Sequence, residues 1–265
     1  MDRFVDERDL NLLEGDRYTF FVLRRVLGRS CQLILSDHEN LILCYTCPPY
    51  PVWIWSADNA PPAVLERANE LVAEHDLLRK EQRFNLKYEL AEYMIRRAAA
   101  EGIGLDLFEN MFAYDCPDPV PPSGQADGGL HRCVEDDAEE LAGIIEAFAN
   151  ETGLDKKDRA RYLESARAAI EAGRTYFWKN EQGETAACCK YVPNGDMASV
   201  GLVYTFPEQR RKHYAENLVY RVTLLAKGEG LTPMLYTNAD YAASNACYRK
   251  LGYRLRGKLC SVSVT

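Results

Sequence analysis

The sequence predicts a mixed α/β (α+β) protein of two domains. Its 265 residues, 47% of them hydrophobic, are enough for two cores of ordinary size. A stretch rich in proline and glycine, YDCPDPVPPSGQADGGL at residues 114–130, divides the chain. On both sides of it, strand-like runs alternate with segments of helical periodicity. We therefore expect a smaller N-terminal α/β domain over residues 1–113, a linker over 114–130 and a second domain over 131–265.

The first domain is predicted to begin with a helix over residues 9–27. CQLIL and LILCYT predict a hairpin around the polar tip SDHEN, and VWIW predicts a third strand. Helices are expected over 61–75, where two prolines suit the first turn, and over 84–100. No motif in this domain indicates a chemistry, so its role is left unassigned.

The second domain is predicted to begin with a strand near residues 131–134. Asp136 and Glu139 have the spacing of a capping box for the helix that follows, and a second helix is expected over 156–172, ending at Gly173. TYFWKN, ETAACCKYV and MASVGLVYT predict three strands separated by polar turns. A helix over 214–228, the strand PMLYT, a helix over 241–251 and one or two closing strands in YRLRGKLCSVSV complete the order.

Composition excludes several classes of protein. A net charge of -8 argues against a protein that coats nucleic acid or an anionic membrane. The acidic start MDRFVDERDL does not fit a targeting peptide, and no run reaches the ~18 apolar residues of a spanning helix, so a cytoplasmic location without a membrane partner is expected. Nine scattered cysteines indicate reduced thiols. Cys44 and Cys47 have the spacing Cys-x-x-Cys, but no second such pair follows, so no metal site is predicted.

Positive charge is concentrated near the C-terminal end. Residues 209–265 hold ten Lys/Arg and three Asp/Glu, which leaves 22 basic and 37 acidic residues for the rest of the chain. In PEQRRKHYAENLVYRV, residues 207–222, basic side chains stand just before an apolar helical stripe. The first N–H groups of a helix lack intrahelical partners and its dipole makes that end positive, so phosphates would fit there. The pattern fits two interpretations, a pyrophosphate-binding site and a solvent-exposed basic face, and does not distinguish between them.

Two segments resemble a known family. VYTFPEQRRKHYA and LYTNADYAASNACYRKLGY are similar to the signature segments of the GCN5-related N-acetyltransferase (GNAT) superfamily, in particular its members with an additional N-terminal domain. The resemblance extends over about residues 130–265. It implies a mixed central sheet flanked by helices, acetyl-CoA as acyl donor and an amine acceptor that the sequence does not identify.

The resemblance also implies roles for individual residues. In the loop before the helix it implies contacts with the pyrophosphate, and on the preceding strand contacts with the thioester and pantetheine. The cofactor-binding residues implied are Leu202, Val203, Tyr204, Gln209, Arg210, Arg211, Lys212, His213, Tyr214, Ala215, Asn238 and Asn245. Arg211 and His213 stand where the family has glycines, and their side chains are expected to crowd the approach of phosphate to the backbone.

Two catalytic residues are predicted. Tyr248 is implied to protonate the departing thiolate, since a phenol with a pKa near 10 and a thiol with a pKa near 8.5 can share a proton; a packed aromatic is the alternative. Glu151 is the candidate general base, with a solvated surface residue as the alternative. The expected reaction is direct transfer of an acetyl group from acetyl-CoA to a primary amine. A catalytically silent CoA-binding sensor or scaffold is the alternative function, nucleic-acid binding is not expected, and a homodimer is left open.

Overall fold

The chain forms two compact units. The computed structural model describes residues 1, 6–153 and 157–265. The first unit comprises residues 1–114, 236–242 and 255–265, and the second comprises residues 115–235 and 243–254. The segment that the sequence predicts as a linker thus makes its contacts largely within the second unit. Among the described residues, no helix has the length and apolar character needed to cross a membrane.

The described residues contain eight α-helices and eleven strands. In chain order they are α1 (Glu7–Leu12), α2 (Phe21–Leu27), β1 (Leu33–Ser36), β2 (Leu41–Tyr45), β3 (Val52–Ser56), α3 (Pro62–Glu74), β4 (Arg83–Leu86), α4 (Tyr88–Ala100), β5 (Leu105–Asp115), β6 (Gly129–Arg132), α5 (Ala138–Thr152), α6 (Arg159–Glu171), β7 (Thr175–Lys179), β8 (Thr185–Asn194), β9 (Met197–Thr205), α7 (Tyr214–Gly228), β10 (Thr232–Asn238), α8 (Ala242–Lys250) and β11 (Arg254–Val264). Short 3-10 turns precede α5 and α7.

The first unit contains the predicted hairpin of β1 and β2, with Leu33 opposite Tyr45. Strands in this unit follow the order β1-β2-β3-β4-β11-β5. Helices α3 and α4 cover one face through buried residues such as Leu71 and Met94. The other face is covered by Phe20 and Leu23 of the N-terminal segment.

The single helix predicted over residues 9–27 is wrong. Helices α1 and α2 are separate, and the residues between them form a turn held by tertiary contacts. The Asp16 carboxylate accepts a hydrogen bond from Trp55 Nε1 at 2.8 Å and forms an ion pair with Lys87 Nζ at 2.6 Å. Gly15 and Asp16 have low helix propensity, so these distant partners decide the local structure.

Two strands of the first unit differ from the sequence prediction. The helix expected from residue 84 begins at Tyr88, because residues 83–86 are strand β4. Phe84 lies opposite Val52 of β3, and Leu86 lies opposite Cys260 of β11. Strand β5, LDLFENMFAYD, was not predicted. Both segments are strands because neighbouring strands pair with them, which short-range periodicity does not reveal.

The second unit has a mixed sheet in the order β10-β9-β8-β7-β6. The pairs β6–β7, β7–β8 and β8–β9 are antiparallel, whereas β10 runs parallel to β9. Helices α5 and α6 cover one face through residues such as Leu141, Ile144 and Tyr162, which pack on Phe177 and Leu202. Helix α7 packs on β8 and β9. The predicted fold class, a mixed sheet flanked by helices, is confirmed.

The helix starts of the second unit differ in detail from the prediction. The capping box of Asp136 and Glu139 is wrong: the Asp137 carboxylate accepts hydrogen bonds from Val134 N at 2.8 Å and from His131 Nε2 at 2.7 Å. Helix α6 begins at Arg159, and the start predicted at residue 156 lies outside the described residues. Gly173 follows α6 with a φ of 70°, as expected for a helix end.

Candidate active site

A β-bulge interrupts strand β9. Lys190 of β8 lies opposite Gly201, and Cys188 lies opposite Tyr204, so Leu202 and Val203 together face the single residue Cys189. Leu202 has a φ of 50°, which is uncommon for a residue with a branched side chain. A bulge re-aims the backbone groups of its strand and leaves one residue out of the ladder. The bulge therefore gives β9 backbone groups that are not used by the sheet.

Beyond the bulge, one edge of β9 is open. Strand β10 pairs with β9 only through residues 232–234, opposite residues 197–199. Residues 200–205 pair with β8 alone in the described part of the second unit. An unpaired strand edge presents N–H and C=O groups that an extended ligand with amide bonds can bind in the manner of an added strand.

The segment of residues 209–215, which follows β9 and runs into the first turn of α7, presents free backbone donors, and we call it the phosphate loop. The N–H groups of residues 211–216 have no hydrogen-bond partner among the described residues. They belong to the loop and to the first turn of α7, a 15-residue helix whose dipole makes this end positive. Arg211 and Lys212 are exposed beside them, and the Arg211 guanidinium has no partner in the described part of the chain.

The backbone of the phosphate loop has a positive φ at two residues that are not glycine. Arg211 has a φ of 62° and His213 a φ of 64°. L-residues adopt this left-handed region at a cost of about 1–2 kcal/mol. Both residues adopt the conformation that glycine would take freely. Their presence therefore adds backbone strain to the crowding expected from their side chains.

Contacts with the segment 124–127 support the strained conformation. The Tyr214 hydroxyl donates to Asp127 Oδ1 at 2.5 Å, and Asn217 Nδ2 donates to the Gly124 carbonyl at 2.9 Å. The His213 ring lies so close to Gly124 that a Cβ on that glycine would be 2.6 Å from three ring atoms. The two hydrogen bonds join residues that are 87 and 93 positions apart in sequence. No short motif signals them, so the sequence analysis missed Asp127, Asn217 and Gly124.

Tyr248 lies in α8 with its ring packed on Tyr253, the ring centroids 5.7 Å apart. It is 7% exposed, and its hydroxyl makes no hydrogen bond to the described residues. Burial raises the pKa of Tyr248 above its usual value, with smaller contributions from Cys247 and Cys189.

Comparison with known families agrees with this geometry. Residues 138–253 match the profile of the Acetyltransferase (GNAT) family. Residues 138–253 therefore resemble a GNAT acetyltransferase domain, and we call them the GNAT domain. The match includes the bulge, the phosphate loop and Tyr248. Among the curated proteins, no sequence matches the chain.

Solved structures share the fold over most of the chain. A Drosophila protein has 13% identity and a TM-score of 0.67, covering 97% of this chain and 89% of its own. A GCN5-related N-acetyltransferase from Kribbella flavida has 15% identity and a TM-score of 0.61, covering 94% and 95%. A tandem GNAT protein from the clavulanic acid biosynthesis pathway has 17% identity and a TM-score of 0.52, covering 84% and 78%. The likeness confirms a GNAT-type fold.

Arg210 of the GNAT domain binds protein groups. Its Nε donates to the Thr205 carbonyl at 3.1 Å, and its Nη2 lies 2.8 and 2.6 Å from the two carboxylate oxygens of Glu151. The guanidinium thus joins the end of β9 to the end of α5. This arrangement favours a role for Arg210 in positioning the phosphate loop.

The two asparagines predicted to bind cofactor lie in different units. Asn245, in α8 of the GNAT domain, is 1% exposed, and its backbone carbonyl accepts a hydrogen bond from Arg249 Nε at 3.1 Å. Asn238, at the end of β10, belongs to the first unit, where its Oδ1 accepts from Asp240 N at 2.8 Å. Asn245 is therefore in the same unit as the phosphate loop, and Asn238 is described with the first unit.

The strain in the phosphate loop can be measured with two variants of one residue. Arg211→Gly and Arg211→Ala both remove the guanidinium, but only glycine relieves the positive φ. We expect the glycine variant to have a free energy of unfolding about 1 kcal/mol higher than the alanine variant. Urea denaturation of both proteins measures the difference. Equal stabilities would show that the loop is not strained at this position.

Proposed function

We propose that this protein transfers an acetyl group from acetyl-CoA to a primary amine by direct attack of the amine on the thioester. The observation that carries the proposal is the run of unpartnered N–H groups at residues 211–216, found within the described part of the chain. Donors at a helix N-terminus suit a diphosphate, and the exposed Arg211 and Lys212 add positive charge. In this proposal Gln209 to Ala215 hold the pyrophosphate of the donor.

The open edge of β9 supports the next part of the proposal. Pantetheine contains amide groups, and residues 200–205 offer backbone partners that β10 does not use. Leu202, Val203 and Tyr204 would then bind the pantetheine arm and bring the acyl carbon to the bulge. Asn245, which lies in the same unit as the phosphate loop, is proposed as a further contact of the donor.

The bulge and Tyr248 have separate roles in the transfer. A backbone N–H of β9 at the bulge stabilises the negative charge that develops on the acyl oxygen. The amine nitrogen forms a bond to the acyl carbon, the carbon–sulfur bond breaks, and the electron pair leaves on sulfur. Tyr248 then donates its hydroxyl hydrogen to the thiolate, and the resulting tyrosinate regains a proton from solvent. Its raised pKa keeps this hydroxyl protonated, so it acts first as a hydrogen-bond donor to sulfur.

The attacking amine must lose a proton before or during attack. Glu151 is the general base predicted from sequence, but its carboxylate accepts two hydrogen bonds from Arg210. Carboxylate oxygens that already accept hydrogen bonds from a guanidinium are less available to a substrate amine. Water that reaches this exposed site can take the proton instead.

Glu151→Gln measures the contribution of that carboxylate. We expect kcat to fall much less than in a variant of Tyr248, since the ion pair with Arg210 is exposed and contributes only about 0–1 kcal/mol. The pH profile of kcat should keep its shape. A loss of about 100-fold or more, together with the loss of an acidic limb, would establish Glu151 as the base.

Release of CoA in the presence of an amine panel tests the proposed function. The panel contains polyamines, amino acids, aminoglycosides and a lysine peptide, and free thiol is measured with acetyl-CoA as donor. We expect amine-dependent thiol release for at least one class. Binding of acetyl-CoA without transfer to any amine would favour the catalytically silent sensor.

A further inference from the structure

Two cysteine thiols of the first unit lie in contact. The Cys44 thiol on β2 donates a weak hydrogen bond to Cys31 Sγ at 3.6 Å, and the Cys31 thiol donates to the Val26 carbonyl at 3.4 Å. Both are free cysteines in this structure. We propose that they form an oxidation site, at which a hydroperoxide converts the two thiols into a reversible disulfide. The proposed transfer reaction neither requires this site nor supports it.

The position of the two cysteines allows a disulfide with little change to the sheet. Cys31 lies in the connection between α2 and β1, and Cys44 is 13 positions further on, in β2. Both belong to one apolar cluster, which also contains Leu27 and Ile42. The sulfur atoms of a disulfide are about 2.05 Å apart, so the two thiols must approach each other by about 1.5 Å. Residues 28–30 are exposed, so the connection can move by that amount while β1 and β2 stay paired.

Exposure differs between the two thiols and decides which one reacts first. Cys31 is half-buried and follows three exposed residues, so a small oxidant can approach it. Cys44 is 0% exposed, and burial raises its pKa above the usual value, with a further contribution from Cys31. Since peroxides react with the thiolate form, a buried thiol with a raised pKa is a poor first target. Cys31 is therefore oxidised first, and Cys44 needs no access to solvent because it already contacts its partner.

The reaction balances in two steps. In the first, the Cys31 sulfur attacks the peroxide, the O–O bond breaks, a sulfur–oxygen bond forms, and the other oxygen leaves as an alcohol or as water. In the second, the Cys44 sulfur attacks the Cys31 sulfenic acid, the S–S bond forms and the S–O bond breaks. The oxygen leaves as water and takes up the Cys44 thiol proton. Two electrons pass in total from the two thiols to the peroxide.

The local ligand set favours a disulfide over a bound metal ion. Structural zinc sites have four ligands, and two thiols supply half of them. In the part of the chain that the structure describes, the group of three potential metal ligands that lie close enough together consists of Asp6, Asp9 and His38, without a cysteine. Each of the two thiols therefore has the other as its available reaction partner.

Treatment of the folded chain with a slight excess of hydrogen peroxide tests the inference. We expect the intact mass to fall by that of two hydrogen atoms, and the denatured protein to lose two of its nine thiols. Dithiothreitol should restore both thiols. Glu39 lies between Cys31 and Cys44, and Tyr45 lies between Cys44 and Cys47, so digestion with a glutamate-specific protease and chymotrypsin identifies the linked pair.

Three variants assign the roles of the thiols. Cys31→Ser keeps a hydroxyl that can donate to the Val26 carbonyl, and it should form no disulfide. Cys44→Ala removes the second thiol, so oxidation should stop at the Cys31 sulfenic acid, which a dimedone probe labels. Cys47→Ser is the matched control, because Cys47 is also a half-buried cysteine of the first unit, and this variant should form the disulfide as the wild type does.

Four results would each overturn the inference. They are an oxidised wild type that keeps the mass of both hydrogen atoms, a disulfide that still forms in Cys31→Ser, a linkage of Cys31 to Cys47, and thiols that dithiothreitol does not restore. None of these measurements involves acetyl-CoA. The inference and the transfer proposal can therefore fail independently.

Discussion

Tyr248→Phe is expected to lower kcat by about 10²-fold or more, with little change in the affinity for acetyl-CoA. The hydroxyl that is removed makes no hydrogen bond to the described residues, so its loss leaves no protein group unpaired. The phenyl ring keeps its contact with Tyr253. Initial rates of thiol release, with acetyl-CoA affinity from calorimetry, measure the two quantities separately.

Tyr253→Phe is the matched control, because the two rings are in contact. The Tyr253 hydroxyl shares a hydrogen bond of 2.6 Å with Thr223 Oγ1 in the core. Its removal should lower the free energy of unfolding by about 1 kcal/mol and leave kcat nearly unchanged. If Tyr248→Phe instead keeps the wild-type kcat, this tyrosine is a packing residue and does not assist the leaving thiolate.

The pH dependence of kcat gives a second check on Tyr248. Burial raises its pKa above the usual value for tyrosine, so the protonated form persists to higher pH than in an exposed tyrosine. An acid with a raised pKa is active below that pKa and is lost only above it. We expect no decline of kcat from this group up to about pH 10. A decline centred well below that pH and absent from the phenylalanine variant would contradict the proposed environment.

Ala215→Pro is expected to weaken acetyl-CoA binding by about 10- to 100-fold. Proline removes one of the unpartnered N–H groups in the first turn of α7, a region where helices tolerate it. A hydrogen bond to a charged group contributes about 1.5–3 kcal/mol, and each 1.4 kcal/mol is a factor of ten in affinity. Calorimetric titration with acetyl-CoA measures the loss.

Ala160→Pro is the control for the proline itself. Ala160 is likewise an alanine at the second position of a helix, α6, and it is exposed, whereas Ala215 is half-buried. This variant should bind acetyl-CoA as the wild type does. If both proline variants bind equally well, the amides of the phosphate loop do not hold the donor.

The sequence predicted elements whose signals are local. The hairpin of β1 and β2 has its polar tip, and α7 has its apolar stripe and the basic residues before it. Strands β4 and β5 were missed because they are strands through pairing with distant neighbours, such as Leu86 with Cys260. The helix predicted over 9–27 failed for a similar reason, since Asp16 binds Trp55 and Lys87.

The parts of the candidate site that lie within one continuous sequence motif were predictable. The residues of the phosphate loop and Tyr248 lie in two such segments. The support of the loop by Asp127 was not predictable, because that residue lies in a segment whose composition is typical of a linker. The left-handed backbone of Arg211 and His213 was also hidden, since non-glycine residues rarely adopt it and only the surrounding contacts impose it.

A crystal structure of the protein soaked with acetyl-CoA is the most direct test of the proposed donor site. We expect density for the diphosphate within hydrogen-bonding distance of the backbone N–H groups of residues 211–216, with the acyl carbon next to Leu202 and Val203. Density for the diphosphate at another place, or an empty phosphate loop at saturating acetyl-CoA, would contradict the proposed site.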